Sequence, residues 1–174
     1  MKQASNKTIA TLVLILTSAG VLLGLSMGYI RNTAPDIQMQ TATGEVIELH
    51  TRNAPTLVVF WATTCSACLK EQPELVKLYQ ELQPRGLMII GVSMYYDPPV
   101  QVARLVAQRN IPYPIVMDVQ KKVASAFKLR KMITPTTILV SSDNKIVFRK
   151  TGLLDMKALR DQIIALLPDT QKKG

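Results

Sequence analysis

The chain has 174 residues, 48% of them hydrophobic, and its 21 Lys and Arg residues against 12 Asp and Glu give a formal net charge of +9. This length fits one domain with an appendage, and the apolar content is ample for a buried core. Because the basic residues are scattered and aromatic residues make up only 5% of the chain, the composition argues against a nucleic-acid-binding protein.

The first predicted element is a transmembrane helix over residues 9–30. This segment contains no charged residue and is long enough to cross about 30 Å of hydrocarbon as a helix. Lys2 and Lys7 precede it, and the first acidic residue is Asp36. The positive-inside rule therefore predicts a short cytoplasmic N-terminus at 1–8 and export of everything after the helix. A single-pass protein of the inner (cytoplasmic) membrane is expected, with the lipid bilayer as one partner and the domain on the periplasmic side.

A cleaved signal peptide is the alternative interpretation of this segment, with an apolar region at 9–16 and small residues at 18–20 as the cleavage site. The apolar run continues through 21–25, which favours an uncleaved signal anchor. Gly20, Gly24 and Gly28 have the four-residue spacing of closely packed membrane helices. Because glycine is common in such helices, no dimer is predicted.

The exported part is predicted to contain a linker at 31–35, one domain at 36–168 and a flexible tail at 169–174. Strands are predicted from alternating or continuous apolar runs, and helices from apolar spacing of three to four residues. In chain order the elements are a β-hairpin (37–40 and 46–49), a strand (56–61), a helix from Ser66 that Pro84 ends, a strand (86–93), a helix through Arg109 capped by Asp97, a strand (115–117), a helical turn (123–127), two strands joined by a hairpin turn (136–140 and 145–150) and a closing helix (156–167).

This order of strands and helices predicts an α/β domain with a central mixed β-sheet and helices on both faces. The predicted apolar face of the first helix consists of Leu69, Leu75, Leu78, Tyr79 and Leu82. The apolar residues of the second helix are Val100, Val102, Leu105 and Val106. The densest basic cluster is predicted to be solvated side chains around a helix end; it consists of Lys121, Lys122, Lys128, Arg130 and Lys131.

The only two cysteines, Cys65 and Cys68, follow a buried strand and open the first helix. A sulfur at a helix N-terminus lies over unpaired backbone N–H groups, which together with the helix dipole favour the thiolate. The thiolate is the attacking species in disulfide exchange. The spacing therefore predicts a redox pair, with Cys65 as the exposed nucleophile and Cys68 as the more buried thiol that resolves the mixed disulfide.

A structural disulfide and a zinc half-site are the alternatives for this pair. So small a loop restrains the unfolded chain little, and zinc needs four ligands whereas His50 is the only other soft candidate. No metal is expected, and no cofactor other than the Cys65–Cys68 disulfide.

Several motifs together resemble the thioredoxin fold: Phe60-Trp61-Ala62 ahead of the cysteines, Pro73 in the helix, Ile133-Thr134-Pro135-Thr136 before a strand, and the region of Gly152. The stretch 34–36, the turn at 43–45 and the single N-terminal anchor narrow the resemblance to the TlpA/ResA-like membrane-anchored thiol–disulfide oxidoreductases. The resemblance covers residues 35–167. It implies a thioredoxin-like fold with an N-terminal β-hairpin extension and one N-terminal transmembrane helix.

The resemblance also implies roles for individual residues. A cis peptide between Thr134 and Pro135 would face the cysteines, and the Thr134 backbone would pair with an extended substrate segment. Trp61 would pack beside the disulfide, although a plain core role is equally consistent with its position. The positions expected to face substrate are Trp61, Thr64, Ser66, Ala67, Thr134 and Pro135.

Two positions depart from the family pattern, and a third matches it but has two possible roles. Thioredoxins proper carry a buried aspartate where this chain has Val59, so that proton acceptor is missing. The family often has tryptophan where this chain has Thr64, which removes an apolar patch. Asp97 matches an acid that ResA-like proteins carry after the strand that follows the cysteine helix, which makes it a candidate proton acceptor. Capping of the helix that follows Asp97 is the favoured role.

The function that the resemblance implies is an exported, membrane-tethered thiol–disulfide oxidoreductase. It would reduce disulfides in envelope proteins, for example during cytochrome c maturation, with electrons from a membrane thiol–disulfide donor. The alternatives are a disulfide-forming oxidase, a thiol peroxidase of the same fold, and a non-catalytic metal or haem delivery module.

Overall fold

The computed structural model describes residues 32–51, 53–129 and 131–168. The chain after Thr33 forms one compact unit. The predicted N-terminus 1–8, the transmembrane helix 9–30, the first linker residue and the tail 169–174 lie outside the described residues. Among the residues that are described, no helix combines the length and the apolar character needed to cross a bilayer.

The elements of the compact unit follow the predicted order, with ends that differ by a few residues at most. The strands are β1 (Gln38–Gln40), β2 (Val46–Glu48), β3 (Thr56–Trp61), β4 (Met88–Ser93), β5 (Ile115–Met117), β6 (Thr136–Val140) and β7 (Ile146–Thr151). The helices are α1 (Ser66–Leu82), α2 (Pro99–Gln108), α3 (Lys122–Ala126) and α4 (Met156–Leu166), and a short 3-10 helix, Gln83–Arg85, follows α1.

Five strands form the central sheet in the order β5-β4-β3-β6-β7. The middle strand, β3, pairs in parallel with β4 and antiparallel with β6. The sheet is therefore mixed, as predicted, and β3 is buried along its whole length because it has neighbours on both edges. β1 and β2 form a separate antiparallel hairpin, which is also as predicted.

Alternate side chains of β3 supply two core clusters, one on each face of the sheet. Leu57, Val59 and Trp61 belong to the cluster that contains the buried residues of α1, α2 and α4. Val58 and Phe60 belong to the other cluster, together with residues of α3 and of the β1–β2 hairpin. Helices therefore cover both faces, which confirms the predicted architecture.

The predicted apolar face of α1 is only partly correct. In α1, Leu69 and Tyr79 are half-buried, whereas Glu71 and Gln72 share the buried face with the predicted leucines. In α2, Val102 is the buried residue and Val100 is 80% exposed. Residues two apart on a helix point in nearly opposite directions, which explains why these two apolar residues differ in exposure.

Candidate active site

The cysteine pair lies where the central strand β3 passes into α1. The buried Trp61 ends the strand, a short turn follows, and Cys65 is the N-cap of the helix. The Cys65 sulfur accepts a hydrogen bond from the Cys68 backbone N–H at 3.1 Å. A sulfur in this position receives one of the unpaired N–H groups of the helix N-terminus, and this favours its negatively charged form once the disulfide is reduced.

The two sulfurs are joined in a disulfide with an S–S distance of 2.07 Å. Cys65 is half-buried, whereas Cys68 is only 6% exposed. An incoming disulfide or thiol therefore reaches the Cys65 sulfur more readily than the Cys68 sulfur. The sequence predicts the same difference in access, with Cys65 as the exposed nucleophile and Cys68 as the more buried resolving thiol.

The loop before β6 brings a proline to the same place. The Thr134–Pro135 peptide bond is cis, as the resemblance implies. Pro135 is buried and lines a narrow cavity of about 10 Å³ together with Trp61 and Cys68. A cavity of this size lies at the lower limit for one water molecule.

Trp61 is part of the core and lines the same narrow cavity as Cys68. Its ring belongs to the same core cluster as Cys68. Gly91 in β4 allows this packing, because a Cβ added there would lie 3.2 Å from the Trp61 ring nitrogen and 2.7 Å from the side chain of Ile115. Within the described part of the chain, the buried Trp61 nitrogen has no hydrogen-bond partner.

The remaining predicted positions surround Cys65. Thr64 and Ser66 are exposed, and Ala67 and Thr134 are half-buried. These four residues flank the accessible sulfur or the cis-proline.

Glu71 is a site residue that the sequence analysis missed. It is 6% exposed and lines the cavity beside Cys68 and Pro135. One carboxylate oxygen accepts a hydrogen bond from the Leu154 N–H, and the other has no partner among the described residues. Burial raises the pKa of the Glu71 carboxyl group, and the hydrogen bond from Leu154 lowers it by less. A buried carboxyl group with a free oxygen beside a buried thiol is able to exchange a proton with that thiol.

A signal for Glu71 was present in the sequence. Positions 68, 71, 72 and 75 are spaced three or four residues apart and therefore share one face of α1. Cys68 and Leu75 mark that face as buried, so the acidic residue between them was the anomaly. Buried acids without a charged partner are concentrated at functional sites.

Asp97 does not cap α2, which contradicts the favoured role for this residue. The N-cap of α2 is Pro98, without a capping hydrogen bond from any side chain. Pro98 and Pro99 have no backbone N–H, so an aspartate before them finds few donors in the first turn. Instead, the buried Asp97 carboxylate accepts two hydrogen bonds from Thr63, one from the backbone N–H and one from the hydroxyl, both at 2.7 Å.

This contact connects the loop after β4 to the turn that precedes Cys65. We expect Thr63→Val to lower the free energy of unfolding by about 1–3 kcal/mol, because it leaves a buried carboxylate oxygen without its donor. Thr63→Ser retains the hydroxyl and is the matched control, with an expected loss well below that of valine. Urea denaturation of the three proteins measures the difference. Equal losses for valine and serine would contradict a stabilising role of the hydroxyl.

Comparisons with known proteins agree with this geometry. The model of the AhpC/TSA family matches residues 30–149. The thiol-disulfide oxidoreductase ResA of Halalkalibacterium halodurans is 31% identical over 137 residues, which cover 78% of this chain and 76% of that protein. ResA of Geobacillus thermodenitrificans is 24% identical over 97% of this chain and 100% of its own length.

A solved structure shows the same fold. The thiol:disulfide interchange protein, a thioredoxin family protein, of Chlorobium tepidum TLS superimposes with a TM-score of 0.70 at 19% identity, over 79% of this chain and 97% of its own. At this identity the likeness concerns the fold alone, and it agrees with the mixed sheet.

Proposed function

The chain belongs to the AhpC/TSA family and is a thiol–disulfide oxidoreductase of the ResA type, and from this premise we propose that it works as a reductant of disulfides in proteins of the cell envelope. The observation that carries the proposal is the unequal placement of the two sulfurs. Cys65 is accessible and receives the Cys68 N–H, while Cys68 is buried one helical turn further on.

The reaction proceeds through two exchanges of sulfur bonds. The Cys65 thiolate attacks one sulfur of the substrate disulfide, the substrate S–S bond breaks, and the released substrate thiolate takes up a proton. Cys68 then loses its proton and attacks the Cys65 sulfur of the mixed disulfide. The Cys65–Cys68 disulfide forms, the second substrate thiol leaves, and two electrons have passed from the enzyme to the substrate.

A proton acceptor is needed for the second exchange because the thiolate, not the thiol, is the nucleophile. We assign this role to Glu71, since it lines the same cavity as Cys68, one of its buried oxygens has no partner among the described residues, and burial raises its pKa. Asp97, the acceptor that the family resemblance suggests, has both oxygens engaged by Thr63. It remains the competing assignment.

The site of action that we propose is the outer side of the cytoplasmic membrane. Support comes from the sequence, in which an uncharged stretch at 9–30 follows two lysines. In this arrangement the bilayer holds the N-terminal segment, a membrane thiol–disulfide donor supplies the electrons, and disulfides of envelope proteins, apocytochrome c among them, accept them. The disulfide is the redox group, and no further cofactor is proposed.

The direction of electron flow is tested by the reduction potential of the pair. Full-length protein in detergent is equilibrated with thiol–disulfide buffers, and the fraction of oxidised Cys65–Cys68 is followed by mass spectrometry after alkylation. A reductant is expected near about −270 mV, the potential of thioredoxin. A value near about −120 mV, that of a strong disulfide oxidant, would reverse the proposed direction. Faster reaction of the reduced protein with hydrogen peroxide than with a peptide disulfide would identify a thiol peroxidase instead.

A further inference from the structure

A groove with basic side chains lies beside the cis-proline loop. Lys128, Lys131 and Arg149 are its basic residues, and Met132 and Ile133 are among its apolar ones. Its volume is about 240 Å³. We call this feature the basic groove. Lys128 and Lys131 belong to the basic cluster whose side chains are predicted from the sequence to be solvated. Lys121 of that cluster lies over the Tyr95 ring, 3.8 Å from its centre.

Within the described part of the chain, no acidic side chain neutralises the lysines of the basic groove. Among the described residues, neither Lys128 nor Lys131 forms an ion pair, and no acidic residue lines the groove. The Arg149 guanidinium donates a hydrogen bond to the carbonyl oxygen of Phe127 at 3.1 Å, which fixes its position. Partial burial lowers the pKa of Arg149, but arginine stays charged at neutral pH. An anionic ligand would find three cations converging on one concave surface.

The groove and the disulfide lie on two sides of one loop. Ile133 and Thr136, which line the groove, flank the cis peptide, and Pro135 lines the cavity beside Cys68. Met132 and Cys65 also pack against the same core cluster. A polypeptide held with its disulfide at Cys65 therefore passes within reach of the basic groove.

We propose that the basic groove binds an acidic segment of the substrate polypeptide, next to the disulfide that Cys65 attacks. This inference rests on the proposed function and adds a substrate class to it. Carboxylate side chains of the substrate pair with Lys128, Lys131 and Arg149, and an apolar substrate residue covers Ile133, which is 46% exposed. The concave shape, the apolar side chains and the position beside Cys65 favour a polypeptide over the headgroups of an anionic membrane, since a bilayer presents a broad surface.

Matched peptides test this proposal on full-length protein in neutral detergent. Two disulfide peptides differ only in two residues that flank the disulfide, glutamate in one and glutamine in the other. The reduced protein is mixed with each peptide, and the second-order rate constant is measured from the released peptide thiols. We expect the glutamate peptide to react about fivefold faster, because single exposed ion pairs contribute little and several converging charges add. This preference should fall toward one at 1 M salt, where the Debye length is roughly 3 Å.

Two charge-removing variants locate the effect. Lys128→Gln/Lys131→Gln should reduce the preference to below about twofold and leave the rate with the glutamine peptide unchanged. Lys77→Gln/Arg104→Gln removes the same charge from exposed positions on α1 and α2, which pack on the other face of the sheet, and should keep the preference. Lys131→Gln alone serves if the double variant folds poorly, because Lys131 has an ordinary backbone angle whereas Lys128 has φ +56°.

The outcomes separate this inference from the proposed function. Equal rates with both peptides in the wild type, or a preference that survives in Lys128→Gln/Lys131→Gln, would overturn the groove assignment while disulfide reduction stands. Slower reaction of both peptides when anionic lipid is added to the detergent, seen in the wild type but not in the groove variant, would assign the groove to a membrane surface. Failure of the wild type to reduce either peptide would remove the proposed function, and the groove assignment with it.

Discussion

Cys68→Ala is expected to accumulate mixed disulfides with the protein's substrates, whereas Cys65→Ala is expected to accumulate none. Cys65 and Cys68 lie one helical turn apart in sequence, and they differ in access. Cys65 is half-buried and Cys68 is 6% exposed. With Cys68 replaced, the first exchange still takes place at Cys65, but the second exchange has no attacking thiol. The covalent complex therefore persists.

The size of the effect follows from the loss of an intramolecular reaction. Cys68 attacks a sulfur that its own backbone N–H contacts at 3.1 Å, so a free thiol in solution is a poor replacement. We expect release of the substrate from Cys68→Ala to be slower by at least about a hundredfold, a small part of what well-oriented intramolecular reactions gain. Multiple turnover should fall to background in both single variants.

Trapping in cells provides the measurement. Cells that express each variant are quenched with acid and alkylated, and complexes are separated without reductant and identified by mass spectrometry. Cys65→Ala/Cys68→Ala is the control for adventitious capture. Complexes in Cys65→Ala as abundant as those in Cys68→Ala would show that attacker and resolving thiol are assigned the wrong way round.

The position of this site could be predicted from sequence because its signals are local. β3 is a continuous apolar run, and a run of this kind is buried by neighbours on both sides whatever those neighbours are. The helix that starts at Ser66 follows from apolar spacing and from the N-cap position of Cys65. Both patterns lie between Thr56 and Leu82, so no tertiary information is needed to recognise them.

The hydrogen-bond partners of the two acidic residues could not be predicted in this way because they are remote in sequence. The Asp97 carboxylate binds Thr63, which lies 34 residues earlier. Glu71 accepts a hydrogen bond from Leu154, which lies 83 residues later. From sequence alone, the nearest backbone N–H groups are the expected donors, and for Asp97 these are at the start of the following helix. Helix capping was therefore the predicted role. Here the fold placed the carboxylate against another loop, and its two hydrogen bonds offset the burial of the charge.

Glu71→Gln is expected to slow the second exchange while it stabilises the fold near neutral pH. The amide has the shape of the carboxyl group and its oxygen still accepts from the Leu154 N–H, but it is unable to take a proton from Cys68. General bases contribute about 10²–10⁴ in rate, so we expect release of the mixed disulfide to slow by at least about a hundredfold. The pH dependence that Glu71 gives this step should disappear.

The effect on stability has the opposite sign. Burial raises the pKa of Glu71 above its ordinary value of 4.5, so the folded protein binds this proton more tightly than the unfolded chain. The free energy of unfolding therefore decreases as the pH rises from the ordinary pKa to the raised one, and it stays lowered above that range. Glutamine carries no such proton. The variant and the wild type should be similarly stable below the ordinary pKa, and the variant should be more stable near neutral pH.

Asp97→Asn separates the two candidates for the proton acceptor. Its carboxylate has both oxygens on Thr63, so the asparagine variant should lose stability and keep the rate of the second exchange. Rapid-mixing measurements of mixed-disulfide release and urea denaturation over a range of pH are made on both variants. A slow second exchange in Asp97→Asn with a normal rate in Glu71→Gln would transfer the acceptor role to Asp97. In that case Glu71 would take no part in the exchange. Its unpartnered oxygen would then only lower the free energy of unfolding, because a buried polar group without a hydrogen bond is unfavourable.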